Sequence, residues 1–112
     1  MAAMQEPTFL VLTALAVRPL HGYAVIQEVA QLSQERVVLR AGTLYAALDR
    51  LTEQGLIAVE REEAVDGRLR RYYRLTDDGQ RALTSEVERL RHNATVAAER
   101  LRKLPRLAPK QA

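Results

Sequence analysis

The 112-residue chain contains no cysteine. That absence excludes a disulfide framework and any thiolate metal site, and nothing calls for an oxidising compartment. No apolar run approaches the ~18 residues needed to cross a bilayer. The opening Met1 to Gln5 has neither the charged nor the long apolar region of an export signal, so a cytoplasmic protein without membrane contact is expected. Glycine is scarce, five in all, and none builds a phosphate-cradling loop. No nucleophile has a base at motif spacing. His21 and His92, the two histidines, have no carboxylate at ligand spacing beside them, which argues against zinc. His21 reads as a helix cap and His92 as an exposed helical residue. Neither catalysis nor a metal or other cofactor is expected.

What is present is an ordinary globular composition, 47% apolar and 28% charged, which separates the chain from disordered sequences. The length allows one small domain with an appendage and excludes a two-domain enzyme. The net charge of +3 hides an asymmetry. Residues 1–60 hold four arginines against six acids, whereas residues 61–112 hold thirteen Arg or Lys against eight acids. Gly67 to Arg74 and Arg100 to Lys110 contain cations and no acid. Such fields suit an anionic partner, a solvated surface being the alternative.

Pro7 and Thr8 precede Phe9, Leu10, Leu12, Leu15 and Ala16, whose spacing of three and four predicts a first helix that Pro19 ends. A second helical pattern opens at His21, with Tyr23, Ile26, Val29, Ala30 and Leu32 on one side and Gln27, Glu28 and Gln31 on the other. After residues 33–42, Leu44, Leu48 and Leu51 mark a third helix, and Gly55 stands where a helix commonly stops.

From Leu56 the period shortens to two. Ile57, Val59 and Arg61 alternate with Ala58, Glu60 and Glu62, and Leu69, Arg71, Tyr73 and Leu75 alternate with Arg70, Tyr72 and Arg74. Asp66 and Gly67 supply a turn, so the pair reads as an antiparallel hairpin. With Ile57 opposite Leu75, Glu62 is expected opposite Arg70. Tyr73 is expected to face inward with Ile57, Val59 and Leu75, and Tyr72 outward.

Thr76 reads as an N-cap, Asp77 and Asp78 favour the helix dipole, and a last helix is expected to run to Leu104, before Pro105. Leu83, Val87, Leu90, Ala94, Ala97, Leu101 and Leu104 repeat with spacings of four and three, a heptad seam. So narrow a seam asks for another helix, and a helix of nearly thirty residues at ~1.5 Å each outreaches a small core. Packing on its own domain is the alternative. The small Ala94 and Ala97 fit a close helix approach.

Three helices followed by a two-stranded hairpin is the order of a winged helix-turn-helix, whose third helix offers its polar face to the major groove while the hairpin reaches the adjacent backbone. The expected fold is mainly α with a small β-hairpin: a winged helix-turn-helix plus a long C-terminal helix. Residues 1–76 would form the DNA-binding domain, 77–105 a dimerisation helix and 106–112 a loose basic tail.

The run from Gly42, Thr43, Leu44 and Tyr45 through Leu48 to Leu51, with Gly55, Leu56 and Ile57 just after, resembles the recognition-helix signature of the PadR family of transcriptional regulators. His21, Gly22 and Tyr23 open the second helix as that family does. Gly67 to Thr76, with Gly79, is similar to its wing and the entry to its last helix. The resemblance covers roughly Pro7 to Leu83. It implies a cytoplasmic homodimer that binds operator DNA, usually as a repressor, and pairs through C-terminal helices; a single such helix places the chain with the compact branch. A small-molecule effector is a further candidate partner. Some relatives stack such a ligand on a Trp near the dimer interface, and this chain has no Trp.

Thr43 and Tyr45 start the third helix on the side away from Leu44 and Leu48, so their hydroxyls are candidates for phosphate or base edges. Tyr45 is the stronger candidate, its alternative being an aromatic packed on the second helix or the wing. Arg50 is a candidate for groove or phosphate, with Asp49, Glu53 and Glu28 as rival partners; Arg40 is a phosphate candidate. That helix is nearly neutral, so most of the affinity falls to Arg68, Arg70 and Arg71, which resemble the family's backbone-contacting positions, unless Glu60, Glu62 and Glu63 pair with them. Two other readings stay open: a protein-interaction module on a winged-helix scaffold, and a nucleoid-type binder without sequence preference.

Overall fold

The computed structural model describes residues 3–105, and the tail expected at 106–112 lies outside the described residues. Its elements are α1 (Glu6–Ala14), β1 (Leu20–His21), α2 (Gly22–Leu32), α3 (Ala41–Glu53), β2 (Ile57–Val65), β3 (Arg68–Leu75) and α4 (Asp77–Arg102). The strands form one antiparallel sheet in the order β1-β3-β2. This is the expected mainly α fold with a hairpin. The two-residue β1 was not foreseen, because a strand so short carries no alternation.

Pro7 stands in the first turn of α1, where its missing N–H breaks no hydrogen bond. Val11, Leu12 and Leu15 from that region meet Val25 and Val29 of α2 and Leu44, Leu48 and Leu51 of α3, and Leu20, Ile57 and Tyr73 close the core from the sheet. In α3 the predicted stripe is the buried one. In α2 it is shifted: Gly22, Val25 and Val29 face the core, whereas Tyr23 and Leu32, expected on the apolar side, are 64% and 47% exposed. The three-to-four spacing fits either stripe, and only the direction from which α1 and α3 approach selects one.

The end of α3 is closed by Gly55 at φ +75°, with Gly55 N–H donating to Thr52 O at 3.0 Å and Leu56 N–H to Leu51 O at 3.0 Å. These two bonds form a Schellman motif, which satisfies the last carbonyls and turns the chain directly into β2.

Asp66 and Gly67 both take positive φ, +51° and +75°, and make the predicted turn between β2 and β3. Ile57 pairs with Leu75 and Val59 with Tyr73, the expected register, although Val59, expected to face inward, is 40% exposed. A bulge between Val59 and Arg61 then slips the register by one residue. Glu62 consequently opposes Arg71, not Arg70, and Glu63 opposes Arg70. Tyr72, expected to face out, is half-buried. Its hydroxyl donates to Glu63 Oε1 at 2.8 Å, its ring meets His21 edge-on, and Arg61 lies 3.9 Å from its centroid.

At the start of α4 the Thr76 hydroxyl accepts from Gly79 N–H at 3.0 Å and donates to the Gly55 carbonyl at 2.7 Å, the predicted cap serving also as a tie to the end of α3. The helix ends at Arg102, two residues short of the expected Leu104. Leu83 packs against the core, and Val87 is half-buried. From Leu90 to the end of α4 every residue is exposed.

Candidate nucleic-acid interface

α3 and the hairpin diverge from the core like a floor and a wall. Between them lies an open groove of about 870 Å³, lined on one side by Tyr45 and Asp49 and on the other by Arg68, Arg70 and Arg71 of β3. The groove therefore brings together Tyr45 and the three wing arginines from the candidate set. Arg40 and Thr43, exposed at the entry to α3, and Arg50 stand outside it. Arg50 donates to the Thr8 hydroxyl of α1 at 3.2 Å, so the guanidinium turns towards α1.

The strand sequence explains the wall. Alternation in β3 gives Tyr73 to the core, 4% exposed, and the bulge in β2 decides which glutamate meets which arginine. Arg71 stands 3.8 Å from Glu62, Arg74 3.9 Å from Glu60 and Arg61 3.8 Å from Glu63. All are half-exposed contacts, worth about 0–1 kcal/mol each. Among the described residues neither Arg68 nor Arg70 takes part in an ion pair, so of the three tip arginines only Arg71 is partly neutralised. The rival reading, in which the glutamates cancel the tip, holds for one position in three.

The floor depends on His21 and Gly22. His21 ends β1 and caps α2, its Nδ1 accepting from Ala24 N–H at 3.3 Å. Capping through Nδ1 requires that nitrogen to be unprotonated. Burial, then the positive charge of Arg70, hold the imidazole pKa below its ordinary value, with Glu63 acting in the opposite direction. Gly22 lies directly beneath the Tyr45 ring. Sequence reasoning identified the His21 cap but not its contact with Tyr72, and it treated Asp49 as an ion-pair partner when it lines the groove. Both depend on where β3 passes α2, which no local pattern reports.

The second candidate surface is the seam on α4. Its first residue, Leu83, leans on the domain's own core and Val87 is half-buried; Leu90, Leu101 and Leu104 are 41%, 65% and 57% exposed, and Ala94 and Ala97 between them are also exposed. Beside it Glu86, unremarked in the sequence, is buried at 6% exposure and accepts from Arg89 Nε at 3.0 Å, a partnership that lowers its pKa. Among the described residues no helix is long and apolar enough to cross a membrane.

A helix pair whose second member shares a groove with a cationic hairpin defines a winged helix-turn-helix, a fold of transcription regulators. The profile of the transcriptional regulator PadR-like family matches residues 11–85, and the chain belongs to that family. It is 44% identical over 66 residues to a transcriptional regulator of Mycobacterium tuberculosis, a match covering 59% of this chain and 58% of the relative's length. It also resembles a PadR family transcriptional regulator from Eggerthella lenta, with 34% identity, TM-score 0.66, and coverage of 88% of this chain and 82% of that one. Bacillus subtilis PadR, solved in complex with operator DNA, shares the fold at TM-score 0.66 and 17% identity; the alignment covers 96% of this chain and 54% of that one.

Proposed function

We propose that the chain acts in the cytoplasm as a homodimeric repressor that binds an inverted-repeat operator. Residues 1–76 form the DNA-binding head and 77–105 the helix that pairs two copies. α3 of each copy enters a major groove, Tyr45 reaching base edges or phosphate, while Arg68, Arg70 and Arg71 grip flanking phosphates. The observation that carries this reading is the groove in which Tyr45 faces the wing arginines, two of which have no ion-pair partner among the described residues. The exposed heptads from Leu90 onward support pairing, because a second copy would bury them. An effector at the junction of two α4 helices would act by changing their angle, and so the half-site separation, through differential affinity for the two arrangements.

Selection of binding sites from random duplex DNA, followed by sequencing, tests the proposal. A palindromic motif with half-sites about one helical turn apart is expected. Equal retention of all sequences would replace it with a nucleoid-type binder, and no retention with a protein-interaction module.

A further inference from the structure

Gly22 is the first residue of α2, and the side chain of Tyr45 from α3 crosses directly over it. A Cβ placed on Gly22 would stand 2.5 Å from the Tyr45 hydroxyl oxygen, 2.8 Å from Cζ and 3.0 Å from Cε1. A non-bonded carbon and oxygen do not approach so closely, so a methyl group and the observed ring position cannot coexist. The clash is with the far end of a side chain, not with backbone. The ring, 48% exposed, has solvent to swing into, so the fold has no need to yield. Nothing in the backbone at Gly22 demands glycine, since its φ is not among the positive ones. The absent side chain thus serves one purpose that can be read from geometry, room for Tyr45.

We infer that Gly22 is a positioning residue for Tyr45: it leaves room for the hydroxyl end of the ring at the start of α2, which keeps the hydroxyl in the groove shared with the wing. This rests on the reading of that groove as a DNA interface. His21 contributes to the same arrangement, since its cap holds the first turn of α2 where the ring meets it. The contact gives the ring a resting place before DNA arrives, which lessens the rotamer freedom lost on binding.

The test is a double-mutant cycle of Gly22→Ala and Tyr45→Ala in the full chain. DNA affinity is read by titration at low salt, and the unfolding midpoint is recorded for every variant. Gly22→Ala is expected to keep the wild-type midpoint and to lose about tenfold in affinity, the scale of one hydrogen-bonded contact to DNA. In the Tyr45→Ala background, where the ring is gone, Gly22→Ala is expected to change nothing further. NMR of the free protein should show a close contact between the Gly22 α-protons and the Tyr45 ring. Wild-type affinity in Gly22→Ala, additive losses in the cycle, or a missing ring contact would each overturn the inference while leaving the DNA reading intact. A wild-type protein that retains no DNA would overturn both.

Discussion

Gly79, in the first turn of α4, lies so close to Leu56 that a Cβ there would stand 2.0 Å from the Leu56 carbonyl oxygen. That oxygen already accepts the Thr76 N–H at 3.1 Å, and Thr76 in turn caps Gly79. The three residues weld the end of α3 to the start of α4, and with it the helix proposed to enter DNA to the arm proposed to pair two copies.

Gly79→Ala should therefore destabilise the fold by about 2 to 3 kcal/mol, the upper part of the range for overpacking, because backbone cannot step aside as a side chain can. Urea unfolding measures this. Thr76→Ala should cost about 1 kcal/mol through loss of the cap. A Gly79→Ala protein as stable as wild type would show that the joint is looser than its distances.

Leu90→Arg should leave the stability of the single chain itself unchanged, since Leu90 is exposed there, and lose only the concentration-dependent part that pairing adds. It should nevertheless yield monomers with little operator affinity. Leu83→Ala should instead lower stability, because Leu83 packs against the core. Sedimentation equilibrium separates the two effects, and a Leu90→Arg protein that still sediments as a dimer refutes pairing through the seam.

Two to four phosphate contacts per copy predict a slope of about −4 to −8 in log affinity against log salt for the dimer. Replacing Arg68 and Arg70 with alanine in both copies should flatten that slope by about 3 to 4. Arg71→Ala should do less, since Glu62 already stands 3.8 Å away. A salt-independent wild type would remove the electrostatic role of the wing.

His21 gives stability a pH dependence of defined sign. Its folded-state pKa lies below the ordinary value of 6.5. The unfolded chain then takes up a proton first, so the stabilisation is fully present above that ordinary value and fades as pH falls from it through the folded-state pKa. Acidification from neutral pH to about 5.5 should weaken the fold more in wild type than in His21→Asn, which caps without titrating. Parallel loss in the two proteins would mean that other groups are responsible.

The stretch from Leu44 to Leu51 shows how much of the fold was legible. Three leucines at helical spacing, a glycine at the stop and an alternating hairpin after it are local features, each enforced within a few residues by hydrogen-bond geometry or φ. The arginine-rich wing was legible for the same reason, since strand alternation and the Asp66–Gly67 turn place it at a tip. Between Val59 and Arg61 that legibility ends. A bulge leaves no mark in an alternating pattern, yet it reassigned Glu62 from Arg70 to Arg71 and set Arg61 opposite Tyr72, on the face away from the core.

Chain order alone thus settled the class of fold, the buried stripe of α3, the helix caps and the cationic hairpin, because each arises from neighbours along the backbone. Packing in three dimensions settled the rest: which stripe of α2 is buried, where His21 meets Tyr72, and why the position before Tyr23 has no side chain. Those depend on residues 23 or more positions apart approaching within a few ångströms, a distance set by the packing of helices and sheet and by no local periodicity.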